Sequence, residues 1–400
     1  MAGMHLTAIP NLALVPAHVW DALAGDDNPF IEHAFLHGLE TTGCVGPGTG
    51  WTPLHLLATS DDLSQRTFRE GCQLLGAVPL YHRTDSYGEF IFDWSWAQFY
   101  QQHGAPYYPK LTAAVPFTPV TGPRILLPPD ADPAVAEALA DGVRDLARQS
   151  GAHSVHWLFL QEDRAAWLEQ RGWLHRVTTQ ALWLNDGYHD FDDFLATRTA
   201  RIRKQIRRER RDAQASGLEL TVLPGTEMGD AEWAAIWQLY QANTARHGSD
   251  AYLNEAFFRH VREQLPHRVV CTFARGPEGY VAGTFNFAKG KNLYGRYWGC
   301  LAEVPFLHFE LAFYRLMEHC ITHGFERFEA GAGGEHKPQR GMALTAIHSA
   351  HWLANGRLAA AIEAHVAAER AAVLQGIAMT GDPTRKHAAE PPMVNADGTR

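Results

Sequence analysis

The stretch PAVAEALADGVRDLARQSGAHSVHWLFL, residues 133–160, carries the clearest helix-then-strand signal in the chain. Proline at its first position, apolar Val135, Leu139, Val143 and Leu146 at helical spacing, and Gly151 as a stop predict a helix over 133–149. The run 153–160 that follows is short, apolar and bounded, as a buried strand is. The same order returns in PFLHFELAFYRLMEHCITHGFERFEA, residues 305–330, with a helix over 305–323, a stop at Gly324 and a strand over 325–330. In each half, strand runs precede the helix and more chain follows the strand. The repeated order predicts an α/β (α+β) chain of two tandem domains, residues 1–187 and 188–378, that share no visible identity. From Met379 onward the chain is rich in Pro, Gly, Asp and Lys, which predicts a disordered tail over 379–400.

Working outward, residues 29–41 read as a helix capped by Asn28, and 54–58 and 74–82 read as strands, the second with Pro79 near its end. The segment 89–108 is crowded with aromatic residues. Pro109, Pro116, Pro119 and Pro123 then exclude both a helix and a regular central strand, and leave a bulged strand or a shaped loop lining a cleft. Residues 162–170 predict a helix and 177–184 a strand. In the second half, Leu195, Thr199, Ile202 and Ile206 form a stripe at helical spacing, so 190–216 is a long helix or helix pair. A strand at 218–223, helices at 231–246 and 255–265, and strands at 268–274, 280–288 and 292–299 follow. The chain closes with a strand at 346–353 and a helix at 358–374.

Composition bounds the function. The 400 residues carry 35 Lys and Arg against 44 Asp and Glu, a net charge of −9, and 46% are hydrophobic. Whole-chain disorder and wholesale coating of nucleic acid are excluded, though a local basic site is not. No run of 18 apolar residues exists to span a membrane, and residues 1–20 do not read as a secretory signal. Cys44, Cys72, Cys271, Cys300 and Cys320 are odd in number, scattered and never in a CxxC pair, which points to a reducing cytoplasm.

Four constellations carry chemistry. Arg198, Arg201, Arg203, Lys204, Arg207, Arg208, Arg210 and Arg211 lie within fourteen positions, with Glu209 as the one acid. Like charges four apart on a helix cost a few tenths of a kcal/mol per pair, and a phosphate-bearing ligand offsets that cost. The alternative is a solvated face paired with this chain's own acids. The second constellation is GAGGEHKPQRG, residues 331–341: glycines that let a backbone approach a ligand, then Glu335, His336, Lys337 and Arg340 just beyond a strand. An amine must be neutral to attack a carbonyl, and His336 or Glu335 can take its proton. The third is LYGRYWG, residues 293–299, followed by His308 and Glu310 at a helix start. A two-residue period places Tyr294, Arg296 and Trp298 on one face and Tyr297 on the other, with Arg296 paired either to Glu310 or to an anionic ligand. The fourth joins Tyr107, Tyr108 and Lys110 to the 117–124 segment ending at Arg124, walls suited to a peptide or sugar-nucleotide acceptor, or else a plain aromatic core. The 22 histidines invite a metal reading, but His153/His156 and His348/His351 would point to opposite faces of strands, and no HExxH occurs. The sequence predicts no metal site and, with no GxSxG, no covalent nucleophile.

Taken together, GWTPLHL (50–56), YYPKL (107–111), VPFTPVTGPR (115–124), RIRKQIRRER (201–210), LYGRYWG (293–299), LHFELAFY (307–314) and GAGGEHKPQRGM (331–342) resemble the FemAB-like predicted N-acyltransferases, also labelled peptidoglycan biosynthesis or recognition proteins. The resemblance runs from about Asn28 to Glu369. It implies two GNAT-type domains with mixed central sheets flanked by helices, and transfer of an acyl or aminoacyl group to an amine. The better-known Fem transferases, more distant relatives, extend the peptide of a nucleotide-linked cell-wall precursor with aminoacyl-tRNA. The resemblance implies the same type of partners here: a small-molecule or peptide amine acceptor, and acyl-CoA or aminoacyl-tRNA as co-substrate with no tightly bound cofactor. It also implies that the 293–299 strand supplies a backbone N–H to the acyl carbonyl and that the next helix start faces phosphate. Fem relatives carry a substrate-holding basic element where Lys337 and Arg340 stand. The usual GNAT pyrophosphate loop, Q/RxxGxG/A, is not evident. The competing expectation is a non-catalytic module that binds the precursor or RNA.

Overall fold

A computed structural model of the chain describes residues 3–63, 68, 71–246, 251–334 and 336–386. Among these residues lie fourteen strands: β1 (His5–Ile9), β2 (Trp51–Pro53), β3 (His55–Thr59), β4 (Leu74–Val78), β5 (Leu80–Arg83), β6 (Lys110–Ala113), β7 (Ser154–Leu160), β8 (Leu174–Leu184), β9 (Glu219–Pro224), β10 (Val269–Gly276), β11 (Gly279–Lys289), β12 (Asn292–Cys300), β13 (Arg327–Glu329) and β14 (Ala343–Leu353). Eleven form one continuous mixed sheet in the order β2-β5-β6-β7-β14-β8-β13-β12-β11-β10-β9, and β1-β3-β4 form a small second sheet. No helix among the described residues is long and apolar enough to cross a membrane.

The two helix–strand units quoted above occupy equivalent places. The helix Pro133–Ser150 carries the chain from β6 to its parallel neighbour β7, and the helical stretch 307–323 carries it from β12 to its parallel neighbour β13. A parallel pair requires such a crossover. Asp132 accepts a hydrogen bond from the Ala134 N–H at the first helix start, Gly151 ends the helix at φ +71°, and Val135, Leu139, Val143 and Ala147 are buried against the sheet. The second crossover contains a π-helical turn, Glu310–Tyr314.

The expected boundary at residues 187 and 188 does not divide the sheet. The last strand of the first half, β8, pairs with β13 of the second. The last strand of the second half, β14, inserts between β7 and β8. Each half thus completes its sheet with the other's final strand, and β8 and β14 pair over nine residues at the centre. One hydrophobic core cluster, with Trp20, Phe30, Phe35, Trp51, Phe117, Phe257 and Tyr294, joins the halves.

Local expectations are corrected at four places. Pro79, which has no N–H to donate, splits the 74–82 run into β4 and β5, and these join different sheets. The aromatic segment contains a helix, Trp94–Gln102, with Trp96 and Tyr100 buried four apart. Between Pro109 and Pro116, Lys110–Ala113 is a fully buried internal strand, short enough to fit between the prolines. The disordered tail was expected too early: the last helix runs from Gly356 to Thr380, and Asp382 and Thr384 then bind the buried Arg198. Residues 387–400 lie outside the described residues.

Candidate active site at the parting of two parallel strands

The strands β12 and β13 pair in parallel only from Asn292/Arg327 to Tyr294/Glu329. Beyond that point they part, and a cavity of about 250 Å³ opens between them. Gly295 to Trp298 line one side and Ala330, Ala332, Gly333 and Gly334 the other, while His308, Ala312 and Phe313 of the crossover helix cover it, with His336 and Lys337 at its edge. Two backbone features shape the gap. The register between β11 and β12 slips so that Phe285 faces Tyr297 and Asn286 faces Gly295, which leaves Arg296 as a bulge residue without a partner opposite. At Gly334, φ is +92° and an added Cβ would sit 3.0 Å from Lys337 Cε, so a side chain there would be strained and would press on Lys337.

The bulge overturns the expected faces of β12. Tyr294 packs on Phe30 and Tyr297 on Tyr240, both toward the core between the halves, whereas Trp298 packs on His308. Arg296 donates to the Phe117 carbonyl instead of pairing with Glu310. Glu310 is fully buried and is held by Arg210 at 3.1 Å and Arg315 at 3.4 Å. The Tyr294 hydroxyl donates to the Asp27 carbonyl, 2.7 Å away, and does not line the cavity.

His336 is caged by rings, with centroids of His308, Phe309 and Phe313 at 5.7, 5.3 and 5.6 Å. Its Nε2 is buried and has no hydrogen-bond partner among the described residues. Burial first, then the Arg340 and Lys337 charges, lower its pKa, and the same causes together with His336 push His308 down to about 4. Both imidazoles are therefore neutral at pH 7 and able to accept a proton. Lys337 is buried, donates to the Gly331 carbonyl at 2.6 Å, and is pushed down to about 8 by burial. Glu335 lies outside the described residues.

Arg340 is not free to hold a ligand. It is 5% exposed, its Nη2 and Nε donate to the two oxygens of buried Glu209 at 2.9 and 3.2 Å, and its guanidinium lies 3.3 Å from the Phe309 ring centroid. The basic helix Ala200–Gln214 that carries Glu209 divides its charges between structure and solvent. Arg203 donates to the Arg198 carbonyl, Arg207 pairs with Asp192, and Arg210 binds Glu310 and Glu318. Arg201, Lys204 and Arg208 are exposed and have no ion pair among the described residues. Spacings of three and four put them on one face. Arg208 lies 5.5 Å from the Phe306 ring centroid, beside the helix start that carries His308.

The first-half residues expected to line a cleft do not reach this cavity. Lys110 is fully buried, with Nζ 2.8 Å from Glu89 and 2.6 Å from Asp93. Arg124 is fully buried and donates to the carbonyls of Leu158, Val120 and Pro123. The Tyr108 hydroxyl bonds Ser86. Sequence reasoning missed Thr284, Asn286 and Phe313 as lining residues. The first two carry no signal beyond an ordinary strand pattern, because their exposure to the cavity depends on the bulge opposite.

The family model for FemAB-like proteins, described as peptidoglycan biosynthesis/recognition, matches residues 11–385. No functionally curated protein sequence matches the chain. The crystal structure of FemX is 14% identical, covers 90% of this chain and 100% of its own, and superposes with a TM-score of 0.51. L-PGS from Bacillus licheniformis is 11% identical over 89% of this chain and 97% of its own, at a TM-score of 0.49. A tandem GNAT protein from the clavulanic acid biosynthesis pathway is 12% identical over 88% and 99%, at 0.43. The likeness to FemX is one of fold. With all but the first ten and last fifteen residues matched to one family model, this chain belongs to the FemAB-like family.

Proposed function

We propose that the chain is an N-acyltransferase that moves an acyl or aminoacyl group from aminoacyl-tRNA or acyl-CoA to an amine, either of a peptidoglycan precursor or of an amino acid derivative. The observation that carries this reading is the buried His336 Nε2, unpartnered among the described residues, beside the gap between β12 and β13. The donor carbonyl enters the gap next to the bulged segment 295–298, where backbone N–H groups and the Lys337 ammonium stabilise the developing oxyanion. The amine nitrogen attacks the carbonyl carbon, its proton passes to His336 Nε2, and the carrier oxygen or sulfur leaves and is protonated in turn. The exposed Arg201, Lys204 and Arg208 hold the carrier's phosphates at the cavity mouth. Aminoacyl-tRNA and acyl-CoA both belong to the cytoplasm, so we place the reaction there.

The test offers the purified protein labelled aminoacyl-tRNA and labelled acetyl-CoA in parallel, each with a nucleotide-linked cell-wall precursor and with free amino acids. Label appearing in the acceptor, lost on His336→Ala, supports the reading and names the donor. Binding of any of these without turnover favours the non-catalytic module.

A further inference from the structure

The described residues expose very few aromatic rings, and those rings lie together. Tyr87, Phe92 and Trp94 are 63, 45 and 48% exposed, and among the described residues no other Phe, Tyr or Trp is exposed. All three fall within eight positions. The Phe92 and Trp94 rings stack at 4.4 Å and 21°, and Tyr87 lies 5.9 Å from Trp94. Exposed rings that cluster in this way mark an interaction site, because isolated packing gives them no reason to leave the core.

The segment is held firmly from below. Asp93 accepts hydrogen bonds from Tyr107 Oη and Lys110 Nζ, both at 2.6 Å, and Arg176 Nη1 donates to the Phe92 carbonyl at 2.9 Å. Trp94 begins the helix Trp94–Gln102 and walls a groove of about 600 Å³. Gln98 and Gln101, on the next two turns, and Pro106 and Tyr108 form the rest of its floor and sides.

The chemistry of this surface selects its ligand. Residues 84–109 contain no Lys or Arg. Their acids are occupied, since Asp85 pairs with Arg83 while Glu89 and Asp93 are buried against Lys110. Arg176, which reaches the Phe92 carbonyl, is paired with Glu369, so a phosphate backbone or an anionic membrane would find no cation among the residues lining the groove. What remains is a flat aromatic face bordered by two carboxamides. The C–H face of a pyranose ring stacks on an indole, and its hydroxyl or acetamido groups exchange hydrogen bonds with side-chain amides.

We propose that the groove along Trp94, Gln98 and Gln101 is a saccharide-binding site for uncharged pyranose chains. It lies in the first half, shares no lining residue with the cavity between β12 and β13, and stands whether or not transfer occurs there. The test titrates the full chain with chitotetraose and with cellotetraose, by calorimetry and by saturation-transfer NMR. At least one probe binds, Trp94→Ala weakens it tenfold or more, and the Gln98→Ala/Gln101→Ala pair weakens it several-fold, with melting temperatures held within a degree or two of wild type. Failure of both probes at several millimolar, binding untouched by Trp94→Ala, or Trp94-dependent binding to phosphatidylglycerol vesicles in place of sugar overturns the proposal.

Discussion

Replacing Arg340 with Ala separates a structural role from a ligand-binding one. The guanidinium and the Glu209 carboxylate, 5 and 2% exposed, share two hydrogen bonds at 2.9 and 3.2 Å, and Arg340 Nη1 also holds the His336 carbonyl at 2.9 Å. Removing the arginine leaves a buried carboxylate whose remaining partners are the neutral Tyr314 hydroxyl and Gln205 amide. Breaking such a pair costs about 3–5 kcal/mol. With an unfolding entropy of about 2 cal/mol/K per residue, a chain of 400 residues that melts as one unit loses about 4–6 °C. Differential scanning calorimetry of Arg340→Ala, Glu209→Gln, and the Arg340→Ala/Glu209→Gln double variant reads this directly. The double variant should lose at least 1 kcal/mol less than the sum of its parts, because the two groups interact. Arg340→Ala melting like wild type while losing affinity for a phosphorylated carrier would show instead that Arg340 holds ligand.

Three further outcomes follow from the geometry. Burial lowers the pKa of His156 to about 3, and burial together with the neighbouring His156, whose Nδ1 lies 2.7 Å from His351 Nδ1, holds His351 well below the ordinary histidine value. The unfolded chain takes up these protons near pH 6.5 and the folded chain resists, so stability falls as pH drops from about 6.5 toward 3, by up to about 1.4 kcal/mol per pH unit for each histidine; a His156→Gln/His351→Gln variant should show a shallower fall of melting temperature between pH 7 and 5. Lys337, pushed down to about 8, is cationic below that pH and neutral above it; transfer activity should decline above pH 8, and Lys337→Met should lose that limb as well as much of the rate. The triple change of Arg201, Lys204 and Arg208 to Ala should weaken tRNA binding, measured by filter retention, and reduce the slope of log affinity against log salt by about 2, with the melting temperature unchanged.

The crossover units were legible because helix ends and periodicity are local: Pro133 and Gly151 mark both ends of one helix within nineteen residues. The exchange of β8 and β14 was not. A strand's alternation states which face is buried and says nothing about which neighbour it pairs with. The 74–82 run shows the same limit, since Pro79 signals a break without telling that the two pieces enter different sheets. At the site, the 331–341 segment was recognisable by its glycines and charges. The division of labour within it was hidden, because Glu209, which claims Arg340, lies 131 residues away, and an arginine reads the same in sequence whether it meets a carboxylate or a phosphate. The bulge at Arg296 was hidden for a related reason: one slipped pair turns Trp298 and Tyr297 to faces opposite to those that strict alternation assigns.

On the proposed reading, an amine in the gap between β12 and β13 loses its proton to His336 as it attacks the donor. The most direct measurement is the single-turnover rate of transfer by His336→Ala and His336→Gln, alongside donor affinity by calorimetry. A general base at His336 requires a rate 10²- to 10⁴-fold lower in both variants, the usual contribution of such a base, with donor affinity within about twofold of wild type. Transfer at the wild-type rate in both variants would contradict it.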